Sequence, residues 1–185
     1  MNVKLTSAGR PLRIDAVETG ARGGLIGMTL CPGKKEINSF SGHWDRNLEE
    51  DLQVIRDWGA HALVSLMEKE EMEWFGVGNL PERTEALGML HYHLPIVDMD
   101  VPDDQFEKNW KSAGESLRNM LVSGEFIVIH CLAGLGRTGT IAARLMIELG
   151  TDPDTAIRRI RMARPGTIQS LVQEKYVRRI HKVAQ

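Results

Sequence analysis

The chain has 185 residues, and its 23 lysines and arginines nearly balance 25 aspartates and glutamates, giving a formal net charge of −2 at pH 7. This balance excludes the strongly basic surface by which many proteins bind nucleic acids or anionic membranes. The length suits one sizeable core, so we predict a single domain over residues 1–185.

The first half of the chain alternates short apolar runs with helical patterns. Residues 12–17 and 24–30 are predicted to form a pair of strands bounded by glycine and proline. A helix is predicted over residues 46–58, because apolar residues recur along one helical face and Gly59 follows. Three further elements are predicted: a buried strand over 60–67, a short helix over 80–89 and a strand over 90–97.

The second half is dominated by helical patterns around one apolar strand. A long helix is predicted over residues 102–124, and residues 125–130 form a continuous apolar run typical of the middle of a covered parallel sheet. Three helices are predicted to complete the chain, over 137–149, 152–163 and 168–184. This alternation predicts an α/β fold, with a mostly parallel central sheet and helices on both faces.

Location and partners follow from what the sequence lacks. The N-terminal segment has no apolar run typical of a secretion signal, and no later run is long enough for a spanning helix. We therefore expect a cytoplasmic protein that is a monomer, with neither nucleic acid nor membrane as a partner.

Residues 130–140 read HCLAGLGRTGT and lie between the predicted apolar strand and the next helix. Gly134, Gly136 and Gly139 allow the backbone to curl tightly, so that successive N–H groups converge at the positive end of the helix. Such a concave run of amides binds a tetrahedral oxyanion, and Arg137 adds a planar fork of donors. The stretch therefore predicts a phosphate-binding loop.

Cys131 lies at the base of this loop. The field that binds a phosphate also favours a thiolate, and Arg137 and the Thr138 hydroxyl add to it, so we predict that Cys131 is a nucleophile. The chain has only one other cysteine, Cys31, so the sequence supports neither a disulfide framework nor a cysteine-rich zinc site. Cys31 is interpreted as a structural or incidental thiol.

The loop resembles the signature of the cysteine-dependent tyrosine and dual-specificity phosphatases, which is His-Cys, five residues, Arg, and then Ser or Thr. The resemblance implies that Cys131 forms a phosphocysteine intermediate and that Arg137 holds the phosphoryl oxygens. It also implies that Thr138 helps the thiolate leave and that His130 orders the loop. The intervening residues are expected to line the substrate site: Leu132, Ala133, Gly134, Leu135 and Gly136.

The resemblance extends beyond the loop. Residues 163–177 are similar to a late segment of the family, which implies that Gln169 positions the hydrolytic water and that Gln173 lies beside it. Residues 29–35 and 91–104, together with the loop, most resemble the kinase-associated dual-specificity branch. The loop is also similar to that of the mitotic-exit phosphatases. A dual-specificity-like α/β fold is implied.

The general acid is less well defined by the sequence. The family has an aspartate on a loop after a strand, about thirty residues before the cysteine, and by this resemblance Asp98 is the candidate. Its neighbours Asp100, Asp103 and Asp104 keep the assignment open. The Trp-Pro-Asp of the longer tyrosine-specific enzymes is missing here, which favours the compact dual-specificity type.

The resemblance implies a phosphoprotein substrate carrying phosphotyrosine, and also phosphoserine or phosphothreonine. The apolar loop residues disfavour a highly charged inositol headgroup. Two alternatives stay open, a catalytically weak phosphoprotein-binding module and a phosphatase for a non-protein phosphomonoester. A P-loop nucleotide hydrolase is excluded, because Arg137 rather than lysine precedes Thr138.

Two other features favour ordinary structural interpretations. His91 and His93 share one face of a predicted strand, but no third ligand is evident, so we expect packing or surface histidines. The basic run at residues 158–164 is interpreted as a solvated helix face. We expect no metal site and no cofactor.

Overall fold

The computed structural model describes residues 4–19, 23–39 and 42–183. The strands are β1 (Lys4–Leu5), β2 (Asp15–Thr19), β3 (Gly24–Thr29), β4 (Lys35–Ser39), β5 (Gly42–Asp45), β6 (Ala60–Ser65), β7 (Leu90–His93) and β8 (Phe126–His130). The helices are α1 (Leu48–Asp57), α2 (Lys69–Trp74), α3 (Leu80–Ala86), α4 (Asp104–Val122), α5 (Gly136–Glu148), α6 (Pro153–Ala163) and α7 (Leu171–Val177).

The central sheet has five strands in the order β2-β3-β8-β6-β7. Only the edge strand β2 is antiparallel to its neighbour, while β3, β8, β6 and β7 pair in parallel. The apolar strand β8 is therefore central, and its residues from Ile127 to Ile129 are fully buried. The predicted α/β fold with a mostly parallel sheet is confirmed.

Two glycines of β3 show how helices approach both faces of the sheet. A Cβ at Gly24 would lie 2.2 Å from the carbonyl oxygen of Leu121 in α4. A Cβ at Gly27 would lie 3.1 Å from the ring of Trp58, at the end of α1. Side chains three positions apart on a strand point to opposite faces. Helices α4 and α1 therefore cover opposite faces, as the sequence predicted.

Several elements differ from the predictions. Strands β1, β5 and β4 form a small second sheet, in that order, which the sequence pattern did not indicate because the strands are short and polar. Helix α2 was also missed. The last helix is shorter than predicted and ends at Val177, and the N–H of Val183 instead donates to the carbonyl of Glu148 at the end of α5.

Within the described ranges, no helix has both the length and the apolar character that crossing a bilayer requires. The carboxyl ends of parallel strands meet at one edge of a sheet, which is where α/β proteins bind ligands. The residues that follow β8, β6 and β7 lie at this edge, and they include the predicted phosphate loop.

Candidate active site

The predicted loop runs from the end of β8 to the start of α5. His130, the last residue of β8, pairs with Thr29 of β3 on one side and with Ser65 of β6 on the other. Residues 131–135 then form the turn, and Gly136 begins α5. The loop is thus anchored on a buried strand at one end and a buried helix at the other.

The carbonyl groups of the turn all point to partners outside it. Cys31 N–H donates to the carbonyl of Leu132 at 3.1 Å. The guanidinium of Arg164 donates to the carbonyls of Ala133 at 3.1 Å and Gly134 at 2.6 Å. The carbonyl of Leu135 accepts from the N–H groups of residues 139 and 168. In a trans peptide the N–H points opposite to the C=O, so the amides of the turn face away from these partners.

Gly134 in the turn and Gly136 at the start of α5 are both closely surrounded. Gly134 has a φ of 71°, and a Cβ there would lie 2.1 Å from the carbonyl oxygen of Thr29. A Cβ at Gly136 would lie 2.8 Å from Oε1 of Gln169. A side chain at either position would therefore clash with backbone or displace a predicted site residue.

Cys131 is 3% exposed and is the first residue of this turn. The N-terminus of α5 has no side-chain cap and no acidic residue in its first turn, whereas α1, α4, α6 and α7 are capped by Asn47, Asp103, Asp152 and Ser170. An uncapped N-terminus leaves N–H groups that an anion can satisfy. The sulfur thus adjoins a site suited to a phosphoryl group.

Arg137 is 1% exposed and held by two segments. Its Nη1 and Nη2 donate to the carboxylate of Glu71 at 2.6 and 3.0 Å, and Nη1 also donates to the carbonyl of Ile96 at 3.0 Å. Burial lowers the pKa of Arg137, but the hydrogen bonds to Glu71 and nearby negative charges more than offset this and raise it above its ordinary value. Arg137 Nε and Thr138 Oγ1 are buried without a hydrogen-bond partner among the described residues.

Glu71 is a site residue that the sequence analysis missed. It lies at position N3 of α2, where its carboxylate also accepts the N–H of Glu68 at 2.9 Å and completes a capping box. This pattern of an acceptor followed three residues later by glutamate could have indicated the helix start. Nothing local could have indicated the pairing with Arg137, which lies 66 residues away.

The four candidate acids differ in their contacts. Asp98 Oδ1 lies 3.0 Å from Nη2 of Arg137, and its side chain is 63% exposed. Asp103 caps α4 by accepting the N–H of Phe106, and Asp104 begins that helix. Asp100 accepts the N–H of Val101 at 2.8 Å. Of the four, only Asp98 pairs with a residue of the predicted phosphate loop.

Gln169 and Gln173 both reach the loop, since each would contact a Cβ at Gly136. Gln173 is fully buried, and its Oε1 accepts the N–H groups of Gln169 and Ser170 at 3.0 and 3.3 Å. Its Nε2 donates to the carbonyl of Asp100 at 3.2 Å. Gln173 therefore connects the start of α7 to residues 98–104, the segment that holds the four candidate acids. Gln169 lies close to the start of α5.

His130 begins a chain of buried hydrogen bonds behind the loop. Its Nδ1 lies 3.4 Å from the carbonyl of Cys131, its Nε2 lies 2.6 Å from Ser65 Oγ, and Ser65 Oγ lies 2.8 Å from Nε2 of His91. A carbonyl only accepts, so Nδ1 of His130 carries the proton. Nε2 then accepts from the Ser65 hydroxyl, which in turn accepts from His91.

With these directions the chain of hydrogen bonds requires a neutral His130, because its Nε2 must accept. Burial lowers the pKa of His130 to about 3 and that of His91 to about 4. Between these values and the ordinary value near 6.5, the unfolded chain binds more protons than the folded chain, so stability falls as the pH falls. From pH 7 to pH 5 we expect a loss of about 2 kcal/mol for each imidazole, measured by urea unfolding.

A pair of variants separates this effect from general acid sensitivity. His91→Asn should remove about half of this pH dependence of the unfolding free energy, because His130 keeps its share. His61→Asn removes an exposed imidazole from β6 without touching the chain of hydrogen bonds, and it should keep the dependence of the parent. Equal slopes for the parent and His91→Asn would contradict this account.

One sequence interpretation is corrected. The basic run at residues 158–164 is not uniformly a solvated face, because the side chain of Arg164 is 12% exposed and binds the loop carbonyls and Asp15. Arg161 of the same run donates to the carbonyls of Thr167 and Ile168. The helical periodicity did not indicate this, since the acceptors lie outside the helix, at residues 133 and 134, in β2 and just after α6.

The two histidines of β7 have structural partners. His91 bonds to Ser65, and His93 Nε2 bonds to the carbonyl of Met67 at 2.8 Å. Over residues 4–19, 23–39 and 42–183, no three His, Cys, Asp or Glu side chains are grouped so that they could hold a metal ion. Cys31 is fully buried, and burial raises the pKa of its thiol far above the ordinary range.

Comparison with known families agrees with this geometry. Residues 41–151, more than half of the chain, match the family model described as "polymorphic toxin system, DSP-PTPase phosphatase". The chain is 30% identical over 135 residues to cyclin-dependent kinase inhibitor 3 of Rattus norvegicus. It is 38% identical over 98 residues to a probable protein tyrosine phosphatase type IVA A of Dictyostelium discoideum.

These alignments cover 71% and 52% of this chain, and 62% and 57% of the respective relatives. The chain therefore spans about six tenths of their lengths. A solved structure of kinase-associated phosphatase, in which the catalytic-site cysteine is replaced by serine, superimposes with a TM-score of 0.78. That similarity covers 90% of this chain and 92% of the other, at 26% sequence identity.

Proposed function

Since this chain belongs to the dual-specificity and protein tyrosine phosphatase family, and is similar to its kinase-associated branch, we propose that it dephosphorylates phosphoproteins through a phosphocysteine at Cys131. Phosphotyrosine is the proposed substrate residue, with phosphoserine and phosphothreonine as further substrates.

One observation carries this proposal. Arg137 is fixed through its terminal nitrogens by Glu71. Its Nε and the hydroxyl of Thr138, which follow Cys131 on the same loop, are buried without partners among the described residues. Buried polar atoms without partners are costly, and oxygens of a bound phosphoryl group would satisfy Arg137 Nε. The uncapped start of α5 adds backbone donors for the same group.

In the first proposed step, the sulfur of Cys131 attacks phosphorus and the bond from phosphorus to the substrate oxygen breaks. Asp98 gives its proton to that departing oxygen. The phosphoryl group would replace Asp98 as the partner of Arg137, since their 3.0 Å ion pair occupies the same guanidinium. Glu71 keeps the guanidinium in place during this exchange and is proposed as a positioning residue.

In the second step, a water oxygen attacks phosphorus and the sulfur–phosphorus bond breaks, releasing inorganic phosphate. The water proton passes to Asp98, and Thr138 donates a hydrogen bond to the departing thiolate. Gln169 is proposed to orient the water, which is supported by the position of its Oε1, 2.8 Å from where a Cβ at Gly136 would lie. His130 keeps the loop ordered through its bond to Ser65.

A substrate panel tests the proposal. The full chain is expected to hydrolyse phosphotyrosyl peptides and an aryl phosphate, phosphothreonyl peptides more slowly, and phosphoinositides weakly. Chelators should leave these rates unchanged. Initial rates of phosphate release provide the measurement. A phosphoinositide turned over on the order of a hundredfold better than any phosphopeptide would contradict the protein substrate, and peptide binding without turnover would indicate a binding module instead.

A further inference from the structure

The turn that carries Asp98 has an unfavourable backbone conformation. The N–H of Asp100 donates to the carbonyl of Val97 at 3.1 Å, so residues 97–100 form a β-turn with Asp98 in its second position. Met99, in the third position, has a φ of 62°. A positive φ at this position favours glycine, because a Cβ crowds the neighbouring carbonyl. The candidate general acid is therefore followed directly by a strained residue.

A second strained residue lies on the segment that contacts this turn. Across the described part of the chain, Met99 and Ile168 are the only residues other than glycine with a positive φ. Ile168 directly precedes Gln169, just as Met99 directly follows Asp98. Such conformations persist only where the surrounding structure fixes them. Contacts from other segments therefore have to hold these two residues in place.

Two side chains at the start of α7 hold the turn that carries Asp98. Ser170 Oγ donates to the carbonyl of Met99 at 3.3 Å, and Gln173 Nε2 donates to the carbonyl of Asp100 at 3.2 Å. Gln173 is fully buried, and its Oε1 accepts the N–H groups of residues 169 and 170. The Gln173 amide therefore cannot turn away from Asp100 without breaking these hydrogen bonds.

This hold matters most when a phosphoryl group enters the site. In the structure, the Asp98 carboxylate is placed by its 3.0 Å ion pair with Arg137, and the side chain is otherwise 63% exposed. In the proposed first step, the phosphoryl group takes over that guanidinium. A proton donor acts only within hydrogen-bond reach of the atom that it protonates. The backbone turn then has to keep Asp98 within reach of the departing oxygen.

We propose that Gln173, assisted by Ser170, is a positioning residue for the general acid, because it holds the turn so that Asp98 meets the leaving-group oxygen. The inference rests on the proposed function, in which Asp98 is that acid. In this role Gln173 acts through Asp98 and has no contact with the reacting atoms. A role for Gln173 beside Gln169 on the water would belong to the second step and has a different kinetic signature.

The test measures kcat/KM of the full chain, which reports the steps up to departure of the leaving group, on a phosphotyrosyl peptide and on a strongly activated aryl phosphate. Gln173→Met replaces the amide by an apolar side chain of similar length. We expect kcat/KM for the peptide to fall roughly ten- to a hundredfold, because small misplacements of a catalytic group are costly. The aryl phosphate should lose less than about threefold, since its leaving group needs little protonation.

Two double variants show whether Gln173 acts through the turn. In the Asp98→Asn background, Gln173→Met should lower neither rate much further, since the acid that it positions is gone. Met99→Gly should restore most of the peptide rate to Gln173→Met, because glycine adopts a positive φ without outside support. Additive losses in the Asp98→Asn background would overturn the proposal. So would an equal loss on both substrates, or an unchanged kcat/KM with accumulation of the phosphocysteine.

Tyr176→Phe is the matched control on the same helix. The Tyr176 hydroxyl donates to Glu107 of α4 at 3.0 Å, beyond the turn. Its removal should leave the ratio of the two rates as in the parent. A ratio shifted as strongly as in Gln173→Met would show that any loosening of α7 has this effect, and would contradict a specific role of Gln173.

Ser170→Gly is a second variant, at a partly exposed position, in case Gln173→Met does not fold. Glycine is tolerated at a helix N-cap, yet this substitution removes the hydrogen bond to Met99. It should shift the ratio of the two rates in the same direction as Gln173→Met, by a smaller factor. An unchanged ratio in a folded Ser170→Gly would count against the hold on the turn.

Amide hydrogen exchange separates this inference from the proposed chemistry. The N–H of Asp100 closes the turn, so its exchange rate, measured by NMR on the full chain, reports the turn directly. Gln173→Met should accelerate this exchange about tenfold, and adding Met99→Gly should slow it again. If the full chain hydrolyses no phosphate ester, the proposed function fails, yet faster exchange in Gln173→Met would still support the hold on the turn. Exchange as slow as in the parent would refute that hold even in an active enzyme.

Discussion

Replacing Cys131 by serine is expected to lower phosphate ester hydrolysis on the order of 10⁵- to 10⁶-fold, because the covalent intermediate can no longer form. The loop should remain intact, since its carbonyls are held by Arg164 and Cys31 and not by the thiol of Cys131. Cys131→Ser should therefore still bind vanadate or a phosphopeptide. Steady-state rates and calorimetric titration measure the two properties separately.

The other cysteine provides the matched control. Cys31 is fully buried, and burial raises the pKa of its thiol, so it stays protonated and non-nucleophilic. Cys31→Ser should keep most of the activity. Full activity in Cys131→Ser, or activity that requires a metal ion, would refute the mechanism. Loss of activity in Cys31→Ser with an unaltered Cys131→Ser would show that the nucleophile had been assigned to the wrong thiol.

Replacing Asp98 by asparagine is expected to have the second largest effect, and its size should depend on the leaving group. A tyrosine or serine oxygen must be protonated as its bond to phosphorus breaks, whereas a strongly activated aryl oxide needs little help. Positioned acids contribute roughly a hundred- to ten-thousandfold. We expect kcat on phosphopeptides to fall within this range, and the rate on an activated aryl phosphate to fall much less.

Asp100→Asn is the control, because its carboxylate accepts the N–H of Val101 at 2.8 Å and an amide oxygen can do the same. It should change neither rate substantially. A leaving-group dependence that appears in Asp100→Asn and not in Asp98→Asn would move the general acid to Asp100. The assignment of Cys131 would then be unaffected.

Much of the fold could be predicted because its signals are local. The apolar run at β8 and the glycine-rich turn into α5 are contiguous in the sequence, and each is governed by interactions within a few residues. The spacing of Cys131 and Arg137 is also a local feature, because both residues belong to one loop. Short polar strands such as β1 and β5 carry no such pattern, so the second sheet was missed.

The sequence by itself predicted a phosphate-binding loop, since a cysteine, three glycines and an arginine between an apolar strand and a helix favour such a site through the backbone N–H groups and one guanidinium. Only the tertiary structure decided which distant groups support that site. Glu71 and Arg164 reach the loop from α2 and from the residue after α6, and Asp98 is the one acid of its loop that contacts Arg137. Such partners depend on how separate elements pack. A guanidinium forms hydrogen bonds only with acceptors that the fold places within about 3 Å of its nitrogens.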